Sequence, residues 1–230
     1  MQGRLVGKRA SARLFLEELA EHRAECCNYL LAVDVEMNTV DGYQMSSWDA
    51  GYGDFVMAHD LDTLRLVPWH PKTAMAQADV QWLDGTDVVA SPRQVLKKQL
   101  ARLADAGMEA FVGTELEFIL FNDTYEEAWL SGYRNMTPAN LYNVDYSILG
   151  TTRTEPLLRE IRNSSYAAGM DVEGAKGECN FGQHEIGFLY ADALVTADNH
   201  SVYKTMAKEI AALQGKSLTF MAKFDERELA

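Results

Sequence analysis

The amino-acid sequence predicts an α+β protein on three observations. The first 90 residues offer short apolar runs bounded by Gly, Pro, Asn and Asp, which is the pattern of strands and turns. Ser91-Pro92 then supplies an N-cap serine and a first-turn proline, a sharp helix start. The stretch beyond that helix reads strand, loop, helix, strand, strand, helix and a final strand. The domain boundary therefore falls at this point, giving regions 1–90 and 91–230. With 230 residues, 47% of them hydrophobic, the chain can bury one large core or two modest ones.

Ser11 caps a helix over 11–20 that places Leu14, Phe15 and Leu19 on one stripe. Residues 29–35 suit either a buried strand or a continuation of that helix, and periodicity does not separate the two. Residues 38–53 carry Gly, Asn, Asp and Ser and read as loop. Strands are expected at 54–57 and at 63–68, where Pro68 ends the pairing. A weaker strand covers 73–80, and Asp84-Gly85 turns the chain between Trp82 and Val88-Val89. The helix from Ser91 carries Val95, Leu96, Leu100 and Leu103 at helical spacing and stops at Gly107. Gly113 to Phe121 reads as a buried strand. Pro156 starts a second helix with Leu157, Leu158 and Ile161 inward and Gly169 at its end. A third spans about 192–214, its apolar stripe being Leu194, Val202, Tyr203, Met206, Ile210 and Leu213, and a last strand lies around 218–223.

Lys and Arg number 21 against 34 Asp and Glu, a formal net charge of -13. That balance argues against nonspecific nucleic-acid binding, which needs a basic footprint. No run is long and apolar enough for a membrane span, and the first residues lack the apolar core of a secretory signal. Cys26, Cys27 and Cys179 form neither a C-x-x-C pair nor an even framework, so a reducing cytoplasm is the expected compartment.

Four glutamates carry the chemistry. Glu115 and Glu117 sit in Gly-Thr-Glu-Leu-Glu-Phe-Ile-Leu-Phe121, where strand alternation points both the same way among apolar neighbours. Such a pair repels itself and loses hydration unless a cation lies between its members. A hard divalent ion, which prefers oxygen, is the simplest candidate. Glu178 and Glu185 bracket Cys-Asn-Phe-Gly-Gln-His, a strand or bulged turn whose glycine frees the backbone. Four carboxylates from these segments suit two divalent ions and phosphoryl transfer. There is no Gly-x-x-x-x-Gly-Lys-Ser/Thr loop, so metals and basic side chains would have to hold any nucleotide phosphates.

These motifs resemble the glutamine synthetase superfamily. The resemblance extends to Gly53-Asp54, Asp60 to Trp69, Thr73-Ala74, Asp79 and Ser91-Pro-Arg93 on one side. On the other it covers Tyr190 to Leu194, Asp198, Tyr203-Lys204 and Thr219 to Lys223, so nearly the whole chain matches in order. It implies a partial β-grasp-like domain over 1–90 and the first half of a glutamine-synthetase-type catalytic domain over 91–230, an antiparallel sheet with helices. It implies that Glu117, Glu178 and Glu185 hold one Mg²⁺ or Mn²⁺ and that Glu115 binds a second on the nucleotide phosphates. Glu173 would contact ATP, and Phe188 and Tyr190 would line the nucleotide pocket. The implied reaction is ATP-dependent ligation of L-glutamate to ammonia or an amine through γ-glutamyl phosphate, in a homo-oligomer of stacked rings.

Two departures from the family pattern shape the expectation. The loop carries Asp41-Gly42 and then Ser46-Ser47-Trp48 in place of the Asp-Gly-Ser-Ser of ammonia-using members, which tells against ammonia. The stretches Leu64 to Trp69 and Gly177 to Glu185 resemble the γ-glutamyl-amine branch, whose acceptors are polyamines or ethanolamine. The chain opens on Met1-Gln-Gly-Arg, which resembles an internal stretch of the family's N-terminal domain. It closes at Phe224 to Ala230, before the family's ligand histidine and phosphate-binding arginines, and so reads as a fragment. A non-catalytic paralogue or regulatory subunit of such rings is the alternative. A carboxylate-pair glycosidase using Glu115 or Glu117 with Glu178 is a further one, disfavoured by the missing sugar-stacking aromatics. His184 is expected on the face opposite the carboxylates as a structural histidine. His59, His70 and His200 are read as surface or packing residues, and Lys176 and Lys204 as solvated rather than phosphate-binding. Trp48, Tyr52 and Trp69 are read as packing or as the lining of an acceptor pocket or interface. Cys179 is read as a small buried hydrophobe.

Overall fold

Strand and helix assignments can be followed residue by residue in a computed structural model, which describes residues 4–49 and 51–226. The stretches that underlie the reading of the chain's two ends fall partly outside the described residues, as does Ala50 in the expected loop. Contacts divide the chain into two compact units. One runs to Arg65 and resumes over Ala74–Ala110; the other takes Leu66–Thr73 and the chain from Phe111 onward.

In the first unit, Ser11 caps a short helix as expected, its Oγ accepting from the Leu14 N–H at 3.2 Å. The α-helix α1 (Ala12–Leu14) passes directly into a π-helical turn over Phe15–Leu19, and neither segment buries a residue. Strand β1 (Ala24–Cys27) arrives earlier than the expected 29–35 element, and a 3₁₀ turn (Asn28–Leu31) follows it. Asn28 bends the chain there: its N–H donates to the Gly53 carbonyl at 2.9 Å and its side-chain amide to the Met45 carbonyl, also at 2.9 Å. Strand β2 is a single element, Asp54–Leu66, where two short strands were expected. The polar residues between them hid its continuity, because ladder hydrogen bonds do not depend on side-chain polarity. Strand β3 (Ala74–Gln81) completes a sheet of order β1-β2-β3. Cys26, Leu31, Phe55 and Val88 form its core, with Met45, Met57, Val80 and Trp82 packed against it.

Helix α2 (Pro92–Asp105) starts at the Ser91 N-cap with proline in its first turn. A charge network joins it to the strands. Arg93 donates to Asp79 and to Asp60, each at 2.7 Å, and Lys97 donates to Asp79 at 2.5 Å. Burial opposes ionisation of Asp79, but the hydrogen bonds and charges of Lys97 and Arg93 outweigh it, so its pKa lies below the ordinary value.

The second unit is built on an antiparallel sheet of order β6-β7-β5-β9. Its strands are β5 (Phe118–Phe121), β6 (Val172–Gly177), β7 (Gln183–Phe188) and β9 (Ser217–Thr219). A separate pair joins β4 (Phe111–Val112) to β8 (Ala191–Asp192). Among the helices, α3 (Tyr125–Leu130) carries a capping box of Thr124 and Glu127, and α4 (Ile148–Thr151) is one turn. The long ones, α5 (Glu155–Ala167) and α6 (Ala193–Leu213), pack on each other and on the sheet. Leu157, Leu158 and Ile161 are buried as expected, as are Val202, Tyr203, Met206 and Ile210. Leu213 is instead 66% exposed, because it is the last residue of α6 and the chain turns back at once. Ala207 and Ala211 take the inward positions there. Trp69 and His70 both reach Glu209 on α6, at 2.5 and 3.2 Å, so Trp69 is held by a hydrogen bond as well as by packing. No helix among the described residues is long and apolar enough to cross a membrane.

Asp79 fixes a testable consequence. A carboxyl whose folded pKa is depressed stabilises the fold above its unfolded value, here 3.8, and that stabilisation is lost as pH falls through the lower folded value. Asp79→Asn is expected to cost about 3 kcal/mol at neutral pH, because it leaves Arg93 and Lys97 short of a buried partner. Urea denaturation of variant and wild type should show that gap close as pH drops below about 4.

Candidate functional site

Directly opposed residues of an antiparallel pair share a face, and so do residues two apart on one strand. Lys176 lies opposite Glu185, and His184 lies opposite both Gly177 and Phe118. Extending that register by one residue sets Glu117 opposite Glu185. Glu178 follows Lys176 by two, and Gln183 precedes Glu185 by two, so both join the same face. The β6–β7 hairpin therefore supplies Lys176, Glu178, Gln183 and Glu185, and the entry to β5 supplies Glu117.

Two glycines allow the hairpin to sit this way. Gly182 holds φ at +75°, and a Cβ there would stand 2.5 Å from the Leu120 carbonyl oxygen. A Cβ on Gly177 would overlap the Val144 carbonyl. The Gly-Gln pair thus fixes the depth at which Gln183 enters the site, with the Leu120 N–H donating to the Gly182 carbonyl at 2.8 Å.

The expected strand over 113–121 is regular only from Phe118. Phe111–Val112 pairs with β8, whereas Phe118–Phe121 pairs with β7 and β9, so residues 113–117 cross between two sheets. Glu117 remains half-buried there and Glu115 is exposed. The charge of Glu115 still reaches both Glu117 and Glu185. Gln183 donates a hydrogen bond to Glu117. The pKa of Glu117 is raised, first by burial and then by the negative charge of Glu178, with Gln183 and Lys176 working against the rise. Glu185 is also raised, by burial, by a hydrogen bond with Glu178 and by the charges of Glu178 and Glu115.

Lys176 is not the solvated lysine that the sequence predicts. It pairs with Asp145 at 3.1 Å and with Glu178, and its Nζ lies 4.4 Å from the centre of the Tyr146 ring. Burial pulls its pKa down, yet the two carboxylates hold it above the ordinary lysine range. Asp145 was invisible in the sequence, since nothing in spacing links it to a hairpin more than thirty residues on. Ligand atoms of Asp145, Glu178 and Cys179 lie within 4.8 Å of one another, and the half-buried Cys179 Sγ–H donates to Asp145 at 3.5 Å. Glu115, Glu117 and Glu185 stand outside that group. His184 is fully buried on the opposite face, as alternation predicts, with its ring 6.0 Å from that of Phe118. Burial pushes its pKa down to about 4.

A cavity of about 80 Å³ opens beside β7, lined by Phe188, Tyr190, Thr114, Leu116, His200 and Tyr203 among others. The Phe188 and Tyr203 rings meet edge to face at 4.9 Å, and Tyr190 leaves 73% of its surface exposed. His200, expected as a surface or packing residue, lines this cavity, with Nδ1 3.3 Å from Thr114 Oγ1. Burial, then the charge of Lys204, lowers its pKa. Glu173 is not among the lining residues; it is exposed on β6 with its side chain beside Gly187.

The glutamine synthetase catalytic-domain pattern matches residues 89–229. The chain belongs to the glutamine synthetase family. It is 67% identical over 228 residues to γ-glutamylethanolamide synthetase GlnA4 of Streptomyces coelicolor, covering 99% of this chain and 49% of that protein. It is 36% identical over 217 residues to glutamate–isopropylamine ligase of a Pseudomonas species, covering 94% and 47%. A solved GmaS–ADP complex superposes with a TM-score of 0.72 at 27% identity, over 92% of this chain and 44% of that one. The chain thus spans about half the length of the curated relatives it matches. The fold is accordingly α+β, with antiparallel sheets and helices of the glutamine synthetase catalytic type.

The donor set suits a hard divalent cation. Its carboxylate oxygens are half-buried and mutually repelling: burial foremost, then the neighbouring Glu178, raises the pKa of Glu117 and of Glu185. A carboxyl with a raised folded pKa destabilises the fold when charged. That cost is absent below the ordinary value of 4.5 and appears as pH rises through the raised one. Glu117→Gln and Glu185→Gln are each expected to raise Tm by roughly 2–4 °C at pH 7 without divalent ions. The gain should vanish at saturating Mg²⁺ and also near pH 4. Calorimetry that finds no gain in the metal-free protein would contradict this electrostatic account.

Proposed function

We propose that this chain carries the metal- and nucleotide-binding part of an ATP-dependent ligase joining L-glutamate, through its side-chain carboxylate, to an amine. The observation that carries the reading is the convergence of Glu117, Glu178 and Glu185 on one sheet face in a glutamine synthetase family chain. In this proposal residues 91–230 are the catalytic-type region and 1–90 the β-grasp-like one.

Glu117, Glu178 and Glu185 would hold one Mg²⁺ or Mn²⁺ and Glu115 a second. Such ions offset the repulsion between a carboxylate and a triphosphate. Gln183 keeps Glu117 oriented by donating to it, and the apolar wall of Phe188 and Tyr203 offers a bed for adenine. Tyr190, exposed at the rim, would cover the base; Glu173 would act on the ribose or phosphates from β6. The reaction has two steps. A glutamate carboxylate oxygen attacks the γ-phosphorus of ATP, forming γ-glutamyl phosphate and expelling ADP. The amine nitrogen then attacks the activated carbonyl, expels phosphate and loses a proton. Phosphorylation is required because a free carboxylate has no adequate leaving group.

The loop around Asp41-Gly42 and Ser46-Ser47, together with the relatives that act on ethanolamine and isopropylamine by name, favours an alkylamine over ammonia. Ethanolamine leads this class, with polyamines next. A homo-oligomer of stacked rings belongs to the same proposal.

In a coupled assay of the full-length protein, ADP release is expected only when glutamate and an amine are both present, and faster with ethanolamine than with ammonia. Glu178→Gln should lower kcat by about 100-fold or more while the protein stays folded. ADP release indifferent to glutamate and to every amine in the panel would overturn the reading.

A further inference from the structure

One ammonium stands among the carboxylates that the proposed reading gives to divalent ions. Lys176 Nζ donates to Asp145 Oδ1 at 3.1 Å, to Glu178 and, at 3.4 Å, to the Gly177 carbonyl. An ammonium has three donors, so all three are taken. The Tyr146 ring covers it at 4.4 Å. Its strand position is directly opposite Glu185, and Glu178 extends from the same face two residues on. Glu178 in turn bonds Glu185 and acts on Glu117, which makes it the common neighbour of the set. A divalent ion at Glu178 would therefore approach an oxygen pair already held by a positive charge, and two cations so close repel strongly.

We propose that Lys176 is a built-in counter-cation of this centre, a positioning residue that holds Glu178 and Asp145 together when metal is scarce and must release Glu178 when a divalent ion binds. The inference rests on the ligase reading only in taking these carboxylates as the metal's ligands. Lysine suits the task because its charge is compact and its stem flexible, so it can leave without disturbing the strand. Asp145 gives the displaced ammonium a partner to remain with. The residue thus sets the metal concentration at which the centre fills.

The probe is Mn²⁺ alone, titrated calorimetrically into the full-length protein. Lys176→Met is expected to bind Mn²⁺ tighter by about tenfold or more, and Lys176→Arg to stay near the wild type. A second measurement needs no variant: acylation of Lys176 in the wild type, followed by mass spectrometry, should speed up when Mg²⁺ is added, because the released amine becomes reachable. Equal or weaker Mn²⁺ binding by a folded Lys176→Met would overturn the inference, leaving the ligase reading intact. Acylation unchanged or slowed by Mg²⁺ would overturn it in the same way, including where Lys176→Met fails to fold. If neither wild type nor variant binds Mn²⁺, this inference and the metal assignment fall together.

Discussion

The ion pairs of Lys176 tie two distant parts of the second unit to one point. Asp145 comes from the segment before α4, and Glu178 from the turn of the β6–β7 hairpin. Around that point Glu117, Glu185 and Glu115 add negative charge that the described side chains do not fully balance. The site is therefore held in tension: the sheet register brings the carboxylates together, and their electrostatics drive them apart. The Lys176 ammonium offsets part of the repulsion, and the negative charge that remains suits a cation of higher valence.

The sheet manages this tension by keeping its two faces chemically distinct. On the helix side, Phe118, Ile186 and neutral His184 are sealed from solvent. On the other side stand the acidic groups and their polar supports. Alternation alone separates the faces, so a one-residue slip between β5 and β7 would drive Glu185 into the core and expose His184. Gly182 and Gly177 guard against such a slip, because the backbone runs too close to Leu120 and Val144 for any side chain at those positions. Specificity of register and placement of charge are the same property here.

Much of this was legible in the sequence. The helices from Pro92 and Pro156 announce themselves by proline in the first turn, and the Glu178 to Glu185 segment, with its internal glycine, reads as a strand or bulged turn where the structure has a hairpin. The order of the motifs along the chain is enough to point to the glutamine synthetase family. What escaped was non-local. The strand through Glu115 and Glu117 looked continuous because its apolar pattern is continuous; which sheet a residue pairs with depends on partners some eighty residues away. Asp145 and the pairing of Lys176 left no periodic signal, because an ion pair between a loop and a strand needs only proximity. Nothing in the spacing of His200 sets it beside Thr114 and Tyr203, so it read as no more than a surface or packing residue. The long β2 strand failed for the opposite reason, since hydrophobicity broke where hydrogen bonding did not.

The hairpin from Val172 to Phe188 also bears on the order in which the molecule assembles. Glu178, Gln183 and Glu185 are brought together by contacts only a few residues apart in sequence, and such contacts form with little loop-closure cost. Glu117 and Asp145 are brought in by pairings 66 and 31 residues apart, whose loops cost more to close. An isolated hairpin with Glu178 and Glu185 side by side would oppose its own closure, but Lys176 travels on the same strand and supplies the opposite charge from the outset. The lysine therefore lies within the same local hairpin as the carboxylates whose repulsion it offsets.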